Sequence, residues 1–407
     1  QGWTGTSVRM DPYVPDSRSD YYLTPSLERF ALEGMRFSNA YAAASICSPN
    51  RASIQTGRSP ATLHMTGVLA SPFHPPDDPT RRFIEPPLST GLPLSEVTLA
   101  EAVREYRPEY AVGHFGKWHL GAQSPQEHGY THAHPGNSHG QEATDRALDF
   151  IREQTEAGTP YVVQISHWAV HKGFPPSQQA ENAVRFLKKG SRHRNPHVAA
   201  MTLDLDTDFG RLLDLLKELG VEDDTYVFYL SDNGAYTDLT NNTPLSGGKF
   251  STLEGGIRVP FLARGPGIPS SAVSPTPIIS WDLLPTILEL VGADVPVDVE
   301  GGSLVSVMKE SPFARVERHR EELVWYYPHY YHFLGGSAPQ AAIRIGNHKL
   351  WVDYESGVSG LFDVATDIGE TQDLSHSNDA LASDMRRRLD LYLRRVGAQM
   401  LVPRTDL

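Results

Sequence analysis

Thr225-Tyr226-Val227-Phe228-Tyr229-Leu230-Ser231-Asp232-Asn233-Gly234 reads as the clearest buried strand of the chain. Its first six residues are β-branched, aromatic or aliphatic and carry no charge, and Ser-Asp-Asn-Gly then supplies a turn. Strands without polar alternation belong in sheets covered on both faces. The same texture recurs outward from this segment. Tyr110-Ala111-Val112-Gly113-His114 runs into Phe115-Gly116-Lys117-Trp118-His119, and Tyr161 to Ser166 runs into His167, His171 and Lys172. Val259 to Ala263 is a further strand.

Between these strands the apolar spacing becomes helical. Leu27, Phe30 and Ala31 follow Thr24-Pro25 and stop at Gly34; Leu99, Ala102, Val103 and Tyr106 form a second set; Ala147, Leu148 and Ile151 form a third. Met201, Leu205, Leu212, Leu216 and Leu219 continue to Gly220, and Asp282 to Val291 is another helix. This alternation predicts an α/β fold, an α/β/α sandwich with a mainly parallel central sheet whose ligand groups gather at strand ends. Residues 71–93, rich in proline, read as a surface loop. Past about residue 312, closely spaced short strands at 323–327, 341–345, 349–352 and 361–363 precede a helix at 385–396, which predicts a small antiparallel sheet. The expected units are therefore a catalytic domain, 1–312, and a C-terminal subdomain, 313–407.

The chain has 407 residues, a formal charge of −13 and one cysteine. No basic block stands out, which argues against nucleic acid or an anionic membrane as the main partner. No apolar run has the length of a membrane span, and an internal disulfide is impossible. The first residue is Gln1 and no apolar leader is visible, so a processed or truncated chain is expected.

The lone cysteine opens Cys47-Ser48-Pro49-Asn50-Arg51-Ala52-Ser53-Ile54-Gln55-Thr56-Gly57. Ser48 can cap a helix, Pro49 suits its first turn and Gly57 its end, so Cys47 is expected at a helix N-terminus, where anions are favoured, with Arg51 one turn in. An isolated cysteine is ordinarily a small buried hydrophobe. Lys117 and His119 lie two apart, so in an extended segment both would point to one side, one to hold an anion and one to move a proton. Asp232 and Asn233 offer adjacent hard oxygens suited to Ca²⁺ or Mg²⁺, although Asp-Asn-Gly is also a common turn. His128, His132, His134 and His139 are irregularly spaced in a Gly/Pro loop and read as loop, with substrate contact open.

Cys-x-Pro-x-Arg followed by Thr-Gly resembles the signature of type I sulfatases, and Gly116-Lys117-Trp118-His119-Leu120-Gly121 is similar to their second signature. Leu245-Ser246-Gly247-Gly248-Lys249 and Thr252 to Pro260, after Asp232-Asn233, look like that family's metal and sulfate-binding run. Gly301-Gly302-Ser303-Leu304, Ala341-Ala342-Ile343-Arg344 and Leu361-Phe362-Asp363 extend the likeness along the chain.

The resemblance implies an alkaline-phosphatase-like fold and hydrolysis of a sulfate monoester, small-molecule or glycan, in a periplasmic or secreted protein. It implies that a maturation enzyme converts Cys47 to formylglycine, whose hydrate, held by a divalent cation with Asp232 and Asn233, attacks sulfur after losing a proton to Asp232. Arg51, Lys117 and Lys249 would then stabilise the spreading charge. His171, with His167 as rival, would protonate the leaving oxygen, and His119 would take the proton of the second hydroxyl. The family carries two aspartates just before a segment like Gln1-Gly2-Trp3; half of the protein metal ligands are expected to be missing here. A phosphoester or phosphonate-ester hydrolase of the same fold and a non-catalytic binder of carbohydrate sulfates are the alternatives. Tyr326, Tyr327, His329, Tyr330 and Tyr331 are expected either to wall a sugar site or to pack.

Overall fold

The computed structural model describes residues 1–69, 78–134, 141–331 and 337–405. Two sheets form the middle of the larger unit. In the first, Ala111–Gly116 pairs in parallel with His132–His134 on one side and with Tyr161–Ser166 on the other. The second runs in the order Val227–Leu230, Phe261–Arg264, Met35–Phe37, Ala272–Ser274. Parallel pairing predominates, as the alternation of elements predicts, and the exception is Phe261–Arg264, antiparallel to both its neighbours. The connection from Leu230 to Phe261 contains a single helical turn, Glu254–Ile257. It stays at one end of the sheet, so the chain re-enters from the end it left.

Helices cover both faces. Ala111 and Phe115 point into one layer with Leu27, Phe30, Ala147, Ile151, Phe209 and Leu216; Val112, between them, points into the other with Ala52, Leu99, Val103, Leu284 and Leu288. A strand's period of two thus serves two cores. The helices are Pro25–Glu33, Glu142–Ala157 and Pro196–Glu218 on the first side, and Cys47–Thr56, Leu99–Tyr106 and Leu283–Val291 on the second. No helix among the described residues is long and apolar enough to cross a membrane.

One expectation fails in an informative way. Val227–Leu230 is mostly half-buried rather than buried. It is an edge strand, as is Tyr161–Ser166, and each has one unpaired side. Both strands line, along their whole length, one cavity of about 330 Å³ whose walls include Ile54, Leu205, Leu212, Leu216 and Ile287. The two sheets therefore face one another across an apolar slot instead of joining into one.

The C-terminal strands form the predicted antiparallel sheet, Leu323–Tyr327, Gln340–Ile345, His348–Asp353 and Ser359–Asp363 in sequence order. Met385, Leu389, Tyr392 and Leu393 of the helix Asp379–Arg395 cover one face. Trp325 and Ala342, on the other face, pack against Tyr41, Ile257 and Trp281 of the larger unit. Of the proline-rich stretch, residues 70–77 lie outside the described residues; the remainder is loop apart from Phe83–Ile84, which pairs with Val402–Pro403.

Charge also crosses that contact, entirely out of water. Lys349 Nζ donates to Glu254 Oε1 at 3.0 Å and to Glu370 Oε1 at 2.8 Å. Arg258 Nε donates to Glu254 Oε2 at 2.6 Å, and the Tyr41 hydroxyl donates to the same oxygen at 2.8 Å. Lys349 and Glu254 expose no side-chain surface. Removing one member strands the others, and a broken buried pair costs about 3–5 kcal/mol. Lys349→Ala is accordingly expected to lower unfolding free energy by about that amount in a denaturant titration; a loss below about 1 kcal/mol, the scale of an exposed pair, would refute the reading.

Candidate active site

Cys47 is the first residue of the helix Cys47–Thr56, which Gly57 closes in the left-handed region at φ 66 with its N–H on Ser53 O. The expected serine cap does not form. Ile46 occupies the cap position, and Ser48 Oγ is buried without a hydrogen-bond partner. What fixes the turn is Asn50, whose Oδ1 accepts from Ala43 N at 2.7 Å and from Ser280 Oγ. A residue the motif leaves variable thus ties the helix start to two neighbouring segments.

Three other segments converge on Cys47 and on Arg51 of its own helix. Lys249 Nζ stands 3.3 Å from its Sγ. Lys117, directly after the strand Ala111–Gly116, is buried and holds its own ammonium 5.0 Å from the Trp168 ring. Arg51 NH1 donates to Lys117 O at 2.9 Å and NH2 to Asp232 Oδ2 at 2.7 Å. His119 is not extended as predicted: its φ is +57, so the turn after Lys117, and not strand periodicity, brings it to a hydrogen bond with Cys47. Asp232 comes from the turn after Val227–Leu230, and Gly234 is required there, since a Cβ would lie 1.9 Å from Gly255 O.

The electrostatics follow from this crowding. Burial alone would push the Cys47 thiol up, but Lys249, Lys117 and the His119 hydrogen bond bring it down to about 5. Burial likewise opposes ionisation of Asp232, yet Arg51, Lys117 and Lys249 hold its carboxyl far below the usual range. A carboxylate so stabilised stays ionised among these cations. Lys249 is pushed up, burial being outweighed by Cys47, Tyr236 and Asp232; Lys117 is pushed down, mainly by burial.

His171 lies in this group as well. Burial, with Lys249 and Lys117 nearby, brings it down to about 3, so the ring is neutral. Its Nε2 faces the Tyr236 hydroxyl at 3.0 Å. A neutral ring that accepts at Nε2 carries its one proton at Nδ1 in this resting arrangement. His167 is occupied by Thr144 Oγ1 at 2.9 Å and brought down by burial to about 4. Tyr236 and Trp168 were missed, since their partners Lys249, His171 and Lys117 lie in other segments.

Asp232 and Asn233 fit a hard cation in part. Asn233 Oδ1 is buried with no hydrogen-bond donor, while its Nδ2 is spent on Gly234 O at 2.8 Å. That orphaned carbonyl oxygen beside a permanent carboxylate has the chemistry of a Ca²⁺ or Mg²⁺ ligand. Among the described residues, no three His, Cys, Asp or Glu side chains form a group able to hold a metal. The Gln1 ammonium lies beside Asp232 and donates to Ser231 Oγ at 2.8 Å.

The remaining candidates disperse. His134 Nε2 meets Glu142 Oε1 at 2.8 Å, His132 Nδ1 meets Thr131 Oγ1 at 2.9 Å, and His128 is buried against Trp118; His139 lies outside the described residues. Tyr326, Tyr327, His329 and Tyr330 are buried packing, whereas the half-buried Tyr331 stacks on Phe250 at 3.9 Å.

A sulfatase profile matches residues 14–293, and a profile described as the C-terminal part of N-sulphoglucosamine sulphohydrolase matches residues 249–396. The chain belongs to the sulfatase family. It is 28% identical over 432 aligned positions to arylsulfatase A of Bos taurus, covering 89% of this chain and 80% of that protein. It is 30% identical over 274 positions to a sulfatase of Formosa agariphila, covering 61% and 49%. The chain spans between 49% and 62% of the length of the first two curated relatives it matches. Ps i-CgsB, solved with k-i-k-neocarrahexaose, superposes with a TM-score of 0.77 at 24% identity, covering 96% of this chain and 90% of that one. PsFucS1 sulfatase from Pseudoalteromonas sp. does so at 0.73 and 17%, covering 98% and 90%. The fold is thus the alkaline-phosphatase-like one of sulfatases, with a mainly parallel central sheet.

Three neutral histidines set an acid limit, His114 buried and His167 and His171 half-buried. His114 and His171 are brought down to about 3 and His167 to about 4. Between these values and the unfolded value of about 6.5 the unfolded chain binds more protons, so stability is intact above pH 6.5 and falls as pH drops through that window. The melting temperature is expected to decline steadily from pH 6.5 to 4.5; a flat or rising profile would show that the three rings are not held neutral by the fold.

Proposed function

We propose that this chain is the catalytic part of a type I sulfatase that hydrolyses sulfate monoesters of a carbohydrate. The observation that carries the reading is the approach of Lys249, Lys117 and His119 to one buried Cys47, with Arg51 behind it. A sulfate ester presents three outer oxygens and develops charge on them and on the leaving oxygen. Two ammonium groups at the nucleophile and a guanidinium that orients Asp232 match that demand. Carbohydrate substrates are supported by relatives such as the N-acetylgalactosamine-6-sulfatase of Mus musculus, 30% identical over 360 positions.

Position 47 is to be read as the precursor. Oxidised by a formylglycine-generating enzyme, its side chain becomes an aldehyde whose hydrate supplies the attacking oxygen. Lys249 and Lys117, which already hold a thiolate there, hold an oxyanion equally well. His119, on the same atom, is placed to take the proton of the second hydroxyl and so release sulfate. A divalent cation, Ca²⁺ or Mg²⁺, would be held by Asp232 and Asn233 and supplies further positive charge to the nucleophile and sulfate. A periplasmic or secreted location fits this chemistry.

The reading is tested by co-expression with a maturation enzyme. Peptide mass spectrometry should find formylglycine at position 47, turnover of sulfate esters should exceed that of matched phosphate esters, and Cys47→Ala should remove it with the fold retained. Unmodified thiol in an active sample would overturn the covalent route, and preference for phosphate would favour a phosphoester hydrolase.

Two ligands and one formal charge do not fill the shell of such a cation, which takes about six or more oxygens. The slot between Tyr161–Ser166 and Val227–Leu230 offers unpaired strand edges on both sides, apolar walls, and Asp232 with its cations at one end. We infer that a further β-strand pairs there and brings carboxylates to the cation site, as the family's paired aspartates would. Addition of a strand ending in Asp-Asp ahead of Gln1 is expected to raise the melting temperature and Ca²⁺ affinity together. Normal Ca²⁺ binding and turnover by the 407-residue chain alone would contradict it.

A further inference from the structure

Lys249 does more than face Cys47. Its Nζ also donates to the Tyr236 hydroxyl at 3.0 Å, and that hydroxyl lies 3.0 Å from His171 Nε2. The other ring nitrogen, Nδ1, lies 2.9 Å from Lys172 O. The two ends of this chain fix its direction. A carbonyl oxygen only accepts, so Nδ1 carries the imidazole proton; an ammonium only donates, so the Tyr236 oxygen accepts from Lys249 and gives its own proton to Nε2.

The surroundings hold this arrangement in place. The Tyr236 and His171 rings meet edge to face at 5.5 Å, and Lys249 Nζ also sits 4.3 Å from the Tyr236 ring centre. Beyond the ring, Lys172 Nζ is bonded to Asp238 Oδ2 at 2.8 Å. Asp238 lies two residues past Tyr236, so the segment that supplies the hydroxyl also braces the residue whose carbonyl takes Nδ1–H.

We propose that Tyr236 is a positioning residue for ester cleavage, which fixes His171 as the Nδ1–H tautomer and couples that ring to Lys249. A histidine side chain in water favours the opposite, Nε2–H tautomer, so the hydroxyl has a distinct effect to exert. With Nε2 turned to Tyr236, His171 rests as an acceptor, and Lys249, already at the nucleophile, is the proton-rich member of the group. Loss of the hydroxyl frees the ring to change tautomer and to turn away from its bond to Tyr236. It also removes one of the two hydrogen bonds that aim the lysine. The kinetic part of this inference rests on the sulfatase reading; the tautomer itself does not.

Two measurements separate these. In the unmatured chain labelled with ¹⁵N-histidine, long-range ¹H–¹⁵N spectra near neutral pH are expected to show His171 protonated at Nδ1 with Nε2 accepting a hydrogen bond, and Tyr236→Phe to mix the tautomers. An Nε2–H tautomer in the wild type would overturn the proposal whatever the activity. In the matured enzyme, Tyr236→Phe is expected to lower kcat about tenfold, the scale of one hydrogen bond, with KM nearly unchanged. The same change made in a His171→Ala background should cost little more. Full additivity of the two losses would mean that Tyr236 does not act through His171. Failure of the wild type to turn over any sulfate ester would strike the functional reading and leave the tautomer result standing.

Discussion

Three cationic side chains and one carboxylate share a largely buried site, and this imbalance governs the arrangement around it. Arg51, Lys117 and Lys249 repel one another, and a fold that buries them must supply counter-charge. Asp232 supplies one unit and the Cys47 thiolate a second, which is why both acids are driven down against the opposing effect of burial. The scaffold is arranged around that need. A helix start presents position 47, a strand end presents Lys117, the turn after the strand Val227–Leu230 presents Asp232, and a loop threaded by Gly234, Gly255 and Gly256 presents Lys249.

Such a site is poised for an anion. The residual positive charge costs stability until a dianion or an ester enters, and the entering group then receives bonds that the empty site cannot satisfy internally. The buried network of Lys349, Glu254, Glu370, Arg258 and Tyr41 serves a different end. It is close to balanced, it lies out of water, and it joins the C-terminal sheet to the segment that follows Lys249. The C-terminal sheet is thereby fastened to the chain a few residues past Lys249.

Much of this was legible in the sequence because strand ends and signature residues coincide. Asp232, Lys117 and Cys47 each sit where a short apolar run or a helix pattern changes, and a period of two or 3.6 finds such places. Lys249 was reached through the family likeness, since no periodic element surrounds it. The cap at Ser48 failed because Asn50, a long-range tie to Ala43 and Ser280, decides the turn instead. His119 was misread because a left-handed φ turns the chain there in a way that local pattern does not encode. Tyr236 was invisible because its role depends on two partners distant in sequence, His171 and Lys249.

The central claim is that Lys117 and Lys249 build one sulfate site over position 47. Isothermal titration of the chain with inorganic sulfate at low ionic strength tests it most directly. The account predicts one sulfate per chain, weakened at least about tenfold by Lys117→Ala and by Lys249→Ala, the loss of one charge-assisted bond each. Absence of saturable binding, or equal affinity in both variants, would contradict it.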